Sequence, residues 1–217
     1  MNIEREMRFY LPLEELESRQ KILKQVRYKG RYHEITIMYD NPNSAYTFYS
    51  TSIDGRLRLR AATPTDKNLT DGYGLVSWKQ RIPSLKNEIM RHENEIEFSF
   101  NSAELPAVRS IFEDVLRCPK ISSYERYRSH YESGDIHITL DEFPFGLMLE
   151  LEIGVDSKNI EQQLMEILSQ LNLNQVMVSS YSCDDMYREL CLKENKQPKQ
   201  DILFNDPDMP HFRLKIS

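Results

Sequence analysis

Residues 3–9 read Ile3-Glu4-Arg5-Glu6-Met7-Arg8-Phe9, and this alternation is typical of a β-strand. Side chains two positions apart share a face of a strand, so Glu4, Glu6 and Arg8 lie together and the opposite face is apolar except for Arg5. Such a row of charges could hold a divalent cation beside a phosphate. It could equally be the solvated face of a half-buried strand, and the rest of the chain has to decide between these alternatives.

Composition narrows the class of protein before any motif is considered. The chain has 217 residues, enough for one domain with a sizeable core, and a formal net charge of −6, which argues against general nucleic-acid binding. We expect neither a membrane span, since no apolar run approaches about 18 residues, nor a signal peptide. The three cysteines are few and lack metal-like spacing, so we expect a reduced, cytoplasmic protein.

The alternation of the first strand recurs along the chain. Arg56-Leu57-Arg58-Leu59-Arg60 places three arginines on one face and two leucines on the other. Gly134 marks a hairpin turn between two further strands. Strands of the same character are predicted near residues 31–40, 76–81, 91–98, 124–131, 135–141 and 147–153.

Helical periodicity and capping signals predict helices inserted between the strands. They cover about residues 13–28, 101–116, 157–171 and 182–195. This order of elements predicts an α+β fold, a closed antiparallel β-barrel of about eight strands with a polar tunnel and helices packed on the outside. The barrel domain is expected to span residues 1–195, with an irregular surface tail at 196–217. Periodicity alone does not exclude the opposite arrangement, with the charges outside.

The ordered set of strands resembles the CYTH superfamily, also called triphosphate tunnel metalloenzymes, over residues 1 to about 192. The family's Glu-x-Glu-x-Lys signature appears with Arg8 in place of the lysine, which keeps the charge but changes its geometry. The other matching motifs are Leu57-Arg58-Leu59-Arg60, Lys79, Arg91-x-Glu93-x-Glu95, Arg126-x-Arg128-x-x-Tyr131, Asp141, Gly146, Glu150-x-Glu152 and Ser180-Tyr181.

This resemblance implies that a triphosphate binds inside the barrel to cationic side chains that alternation points in one direction. Arg56 and Arg81 are interpreted as solvated charges at strand ends and are not included among the predicted substrate-binding residues. The predicted substrate-binding residues are Arg8, Arg58, Arg60, Lys79, Arg91, Arg126 and Arg128.

Carboxylates on the same strands provide oxygen ligands of the kind that Mg²⁺ or Mn²⁺ prefers, and nothing favours zinc. The predicted metal ligands are Glu4, Glu6, Asp141, Glu150 and Glu152. The predicted catalytic residues are Glu4, Glu6, Glu93 and Glu95. For Glu93 and Glu95, a role as ion-pair partners inside the tunnel is an equal alternative. His92 and His130 are expected on the surface of their strands.

The function implied by the resemblance is a metal-dependent phosphohydrolase that acts on inorganic triphosphate, thiamine triphosphate or a nucleoside triphosphate. The first alternative is a class IV-type adenylyl cyclase, in which the substrate's own 3′-hydroxyl attacks instead of water. The second is a phosphate- or polyphosphate-binding module without turnover. The expected partner is thus a small molecule that contains a triphosphate. We expect no binding to membranes and no general binding to nucleic acids. The formation of a homodimer is left as an open alternative.

Overall fold

A computed structural model of the chain describes residues 2–82, 91–153, 160–174 and 177–213, without the side chains of residues 2–4, 91, 160 and 161. Strands dominate, as the alternation predicts. Their bounds are β1 Asn2–Leu11, β2 Arg27–Tyr39, β3 Gly55–Pro64, β4 Tyr73–Ile82, β5 Arg91–Asn101, β6 Lys120–Ser133, β7 Ile136–Phe143, β8 Gly146–Ile153 and β9 Asp201–Ile202.

The first eight strands close into an antiparallel barrel in the order β2-β3-β4-β5-β1-β8-β7-β6, and β6 pairs with β2 to complete the ring. The registers bring distant motifs side by side: Glu6 lies opposite Glu152 and Arg8 lies opposite Glu150 across β1 and β8. Closure therefore removes the sheet edges and turns one face of every strand towards a common lumen.

Helices occupy the connections between strands. Capping boxes begin two of them, at Asn101 with Glu104 and at Ser182 with Asp185, as the sequence predicts. No helix in the described ranges is long and apolar enough to cross a membrane. The α-helices are α1 Leu16–Leu23, α2 Leu105–Ser110, α3 Ile160–Gln170 and α4 Cys183–Lys193, with short 3-10 helices at Leu13–Glu15, Ser44–Tyr46 and Ser102–Glu104 and a π-helical turn at Ile111–Val115.

The apolar faces of the strands lie on the outside of the barrel, under the helices. Leu149 and Leu151 of β8 are fully buried in a cluster that includes Leu23 of α1 and Leu164 of α3. Leu59 of β3 lies in a second outer cluster. The predicted polar tunnel with helices outside is confirmed, and the opposite arrangement is excluded.

One end of the lumen is closed by a plug of apolar side chains, which we call the closed end. Lumen-facing residues of five strands meet buried side chains of α4 in one cluster. These lumen-facing residues are Tyr10, Met38, Tyr124, Phe143 and Met148. At the other end the side chains of His137 and Glu152 are 38% and 44% exposed, and we call this the open end.

The C-terminal segment differs from the predicted irregular surface tail. Asp201–Ile202 forms the short parallel strand β9 beside β6, and Ile202 and Met209 are buried in the cluster of the closed end. The backbone N–H of Phe212 also donates to the carbonyl of Phe145. The tail is therefore packed against the barrel, because its few apolar residues meet the plug.

Candidate active site

The lumen contains a cavity of about 570 Å³ that is lined by cations from four strands, β1, β3, β4 and β6. All six of the predicted substrate-binding residues whose side chains the structure describes take part: Arg8, Arg58, Arg60, Lys79, Arg126 and Arg128. Four of the arginines are at least nine-tenths buried. Because burial strips water from these guanidinium groups, the cavity is suited to an anion that replaces the lost solvation.

Two of the arginines are held in place by buried carboxylates in the barrel wall. Arg126 donates from Nε to Glu34 Oε2 at 2.8 Å and from Nη1 to Asp141 Oδ2 at 2.9 Å. Arg128 donates two hydrogen bonds to Asp141, each at 2.6 Å, and one to Glu150 Oε2 at 2.7 Å. These charge-assisted bonds fix the guanidinium planes before any ligand arrives.

Glu34 is a positioning residue that the sequence analysis missed. Its side chain is fully buried on β2 and also pairs with Arg60 at 3.4 Å. Burial alone would raise the pKa of Glu34, but Arg126, Arg60 and Arg128 outweigh it and hold that pKa well below its usual range. The signal was Glu34 and Thr36 on one face of a strand with Ile35 and Ile37 on the other.

Arg58 differs from the other lumen arginines because it has no hydrogen bond or ion pair with any residue that the structure describes. It is 9% exposed, and its buried Nε is without a partner. A buried guanidinium left unsatisfied in this way is costly unless a ligand completes it.

Carboxylates meet the cations where β1 and β8 pair. Arg8 contacts Glu6 and Glu150, each at 2.5 Å. A side chamber of about 40 Å³ continues the cavity between Glu6, Glu150 and Glu152. Burial raises the pKa of Glu6 against the opposing effect of Arg8, and the nearby Glu150 and Glu93 raise it further. These acidic groups therefore crowd one another, and an added cation would relieve the repulsion.

The remaining predicted carboxylates lie in different surroundings in the structure. Asp141 is fully buried under Arg126 and Arg128 and is not among the residues that line the cavity, so the structure gives it the task of positioning these arginines, and its predicted metal binding stays a prediction. Glu93 is buried in the wall beside the cavity. Glu95 lines the cavity and pairs with Lys79 at 2.9 Å, which matches the ion-pair alternative.

Two predicted residues, Glu4 and Arg91, have side chains outside the described residues, and their roles stay predictions. Arg56 and Arg81 do not line the cavity, in agreement with their omission. Arg56, however, is buried and pairs with Asp54 at 3.1 Å, so its interpretation as a solvated charge is wrong.

Aromatic and imidazole groups border the cavity towards the open end. His130 lines the cavity and was wrongly expected on the strand surface, although it shares the strand face of Arg126 and Arg128. Its Nδ1 lies 3.2 Å from Nε2 of His137. Burial and the neighbouring Arg128 lower the pKa of His130 to about 3, so the ring is neutral near pH 7.

The fold resemblance implies a divalent metal, and the donor set can be tested against it. In the described part of the chain, no group of three or more His, Cys, Asp or Glu side chains is arranged to hold a metal ion. Glu6, Glu150 and Glu152 nevertheless border one chamber and offer oxygen atoms only. This arrangement fits an ion such as Mg²⁺, which usually takes one or two carboxylates and completes its shell with water and substrate phosphates.

Comparison with known proteins rests on structure, because no protein-family model and no curated protein matches the sequence. A proposed adenylate cyclase from Vibrio parahaemolyticus is similar, with 21% identity, a TM-score of 0.62, and 85% of this chain and 97% of that chain covered. A proposed adenylyl cyclase from Hippeastrum, described as having a dominant triphosphatase activity, has 18% identity and a TM-score of 0.55 over 92% and 99% of the two chains.

A chain of the Schizosaccharomyces pombe Mediator head module is also similar, with 12% identity and a TM-score of 0.54 over 79% of this chain and 95% of that one. Likeness at these identities shows shared architecture and leaves the activity open. Together with the closed antiparallel barrel and its charged lumen, these matches show that the chain has the CYTH-like tunnel fold.

Proposed function

We propose that this protein is a divalent-metal-dependent phosphohydrolase that acts on a triphosphate, whether inorganic triphosphate, thiamine triphosphate or a nucleoside triphosphate. The observation that carries the proposal is the convergence of six cationic side chains on one cavity. A triphosphate brings several negative charges over a short length, and buried, pre-oriented arginines bind such charge strongly.

The residues divide into two tasks. Arg8, Arg58 and Lys79, with the other lumen cations, bind and orient the phosphates and neutralise charge that builds up during the reaction. Glu6, Glu150 and Glu152 are the described residues proposed to hold the metal, and Glu4, two positions before Glu6 on β1, is proposed with them. When bound, a divalent metal supplies Lewis-acid polarisation of phosphoryl oxygens.

Hydrolysis then needs a water molecule in line with the bond to be broken. The water oxygen bonds to the terminal phosphorus while the bridging oxygen leaves with the rest of the substrate. Glu93 and Glu95 are proposed to orient this water, and Glu95 lines the cavity. No covalent enzyme intermediate is expected.

An adenylyl cyclase reaction is the second candidate, because several structures with this fold are described as proposed cyclases. The two reactions would use the same cations and metal and differ in the attacking oxygen. A phosphate- or polyphosphate-binding module without turnover is the third candidate, because a cavity lined by six cations would bind a polyanion whether or not it is hydrolysed.

One panel of substrates tests these candidates. The protein is incubated with tripolyphosphate, thiamine triphosphate and ATP, each with Mg²⁺, with Mn²⁺ and with EDTA. Metal-dependent release of orthophosphate supports the phosphohydrolase, and cyclic AMP with pyrophosphate would support the cyclase instead. Binding of all three compounds without any product would overturn the proposal in favour of the binding module.

A further inference from the structure

We propose that Arg58 and the N-terminus of α4 form an anion subsite at the closed end of the cavity, which receives the terminal phosphate of the substrate. This inference rests on the proposed function and adds the direction in which the substrate enters. Its organic group, where one is present, then lies towards the open end.

The first observation concerns where α4 begins. Ser182 and Cys183, its N-cap and first residue, line the cavity, so the helix N-terminus faces the lumen. The first backbone N–H groups of a helix have no partner within it and carry a partial positive charge. The Ser182 hydroxyl accepts from the N–H of Asp185, which leaves the N–H groups of Cys183 and Asp184 for a ligand.

The second, independent observation is the unpartnered guanidinium of Arg58. Its side chain lines the same cavity, is nine-tenths buried, and has a buried Nε without a hydrogen-bond partner. Arg58 lies opposite Met38 in the pairing of β3 with β2, and Met38 belongs to the apolar plug that α4 completes. The free arginine and the helix N-terminus therefore occupy the same end of the lumen.

Electrostatic effects on Cys183 agree with this placement. The pKa of its thiol is raised to about 11, chiefly by burial and also by Asp184, while Arg58, Arg126 and Arg8 act in the opposite direction. The charges of three lumen arginines are therefore felt at the first residue of α4, which lines the same cavity. Of the two acidic residues there, Asp185 is held by Ser182 and by Arg81 at 3.7 Å, and Asp184 does not line the cavity.

The apolar plug limits which substrates the subsite can bind. Because the side chains behind it are apolar and buried, a phosphate chain cannot continue past α4. A substrate must present a free phosphate end to the subsite, and a triphosphate blocked at both ends cannot do so. This requirement separates the subsite from a general attraction of polyanions to a cationic lumen.

A matched pair of variants tests the helix N-terminus. Ser182→Asp and Ser182→Asn both keep a good N-cap, but only the aspartate adds a negative charge beside the anion. We expect Ser182→Asp to weaken tripolyphosphate binding at least tenfold more than Ser182→Asn, measured by calorimetry in EDTA so that metal plays no part. Equal affinities of the two variants would overturn the subsite.

Arg58→Gln, alone and combined with Ser182→Asp, tests whether the two parts act together. We expect the double variant to lose clearly less affinity than the product of the two single losses, because both act on one phosphate. Fully independent losses would contradict a shared subsite. Circular dichroism and melting curves of each variant identify any loss that comes from misfolding.

Diadenosine triphosphate tests the direction of entry, because both of its ends are blocked. We expect ATP and tripolyphosphate to bind in EDTA at least a hundredfold more tightly than this compound. Comparable binding of all three would overturn the terminal-phosphate assignment even if hydrolysis of open-ended triphosphates is observed. Conversely, the binding preferences would stand if the panel of substrates showed no turnover, so failure of the subsite and failure of the proposed activity are distinguishable.

Discussion

Glu6 shows how a single side chain connects the two charge types of the lumen. It contacts Arg8 at 2.5 Å, lies opposite Glu152 across the β1–β8 pair, and borders the chamber proposed for the metal. Its substitution therefore separates the proposed metal chemistry from the binding of phosphates by cations.

We predict that Glu6→Gln lowers turnover of the triphosphate by about 100-fold or more, because the charge stabilisation of a catalytic metal is worth several kcal/mol. The measurement is the steady-state rate at saturating Mg²⁺ or Mn²⁺. Glu17→Gln, an equal charge change at an exposed position of α1, is the control. Near-normal turnover of the Glu6→Gln variant would contradict the proposed role of Glu6 in holding the metal.

Glu34 makes the stability of the barrel depend on pH. Because its pKa is lower in the folded protein than the ordinary value of 4.5, its ion pairs contribute full stability above that value and lose it as the pH falls through the folded-state pKa. We predict that Glu34→Gln lowers the free energy of unfolding at pH 7 by about 3–5 kcal/mol, since Arg126 keeps its charge while a partner is lost.

Urea melts at pH 7 and pH 3 check both parts of this prediction. The difference in stability between the wild type and the Glu34→Gln variant should shrink at the lower pH. A difference that is the same at both pH values would mean that the carboxylate does not act through its charge.

At the scale of the element, β8 is predictable from the sequence because its alternation is unbroken. Its leucines lie under α1 and α3, and Glu150 and Glu152 face the lumen. The same alternation of side chains along β6 predicts that His130 faces the lumen beside Arg128. In contrast, Glu34 stands alone among uncharged lumen-facing residues of its strand, and its partner Arg126 follows 92 residues later. Only closure of β2 onto β6 joins them.

We predict that Leu149→Ala lowers the free energy of unfolding by about 2–5 kcal/mol, because it leaves a cavity in a fully buried cluster. Arg58→Ala should leave stability nearly unchanged or raise it, since this buried cation has no described partner. Denaturant melts of the two variants make the comparison. The reverse ranking would contradict the assignment of inside and outside.

At the scale of the whole molecule, the lumen cations act as a group that only the closed barrel brings together. Their mutual repulsion opposes closure, and the buried carboxylates offset it in part. The burial of the C-terminal tail belongs to the same scale. Nothing in its local sequence predicts that Ile202 and Met209 contact a plug built from five strands and α4, since that contact exists only after the barrel has formed.

We predict that tripolyphosphate stabilises the folded protein by about 2.7 kcal/mol at one hundred times its dissociation constant. Arg58→Ala combined with Lys79→Ala should largely abolish the rise in melting temperature. Arg126 is avoided because its loss would leave Glu34 and Asp141 buried with fewer partners.

The control is a second double variant, Arg27→Ala with Arg188→Ala, which removes the same amount of charge from exposed positions. It should keep the full rise in melting temperature, compared at equal ionic strength. If the lumen double variant keeps the rise as well, tripolyphosphate binds outside the cavity.

The apolar plug at the closed end also dictates the order in which products depart. If the terminal phosphate lies deepest, cleavage leaves orthophosphate behind the larger product, which blocks its way to the open end. The larger product must leave first and orthophosphate last. Steady-state kinetics should then show orthophosphate as a competitive inhibitor against the substrate and the larger product as a noncompetitive one. The opposite pattern would require an exit beside α4.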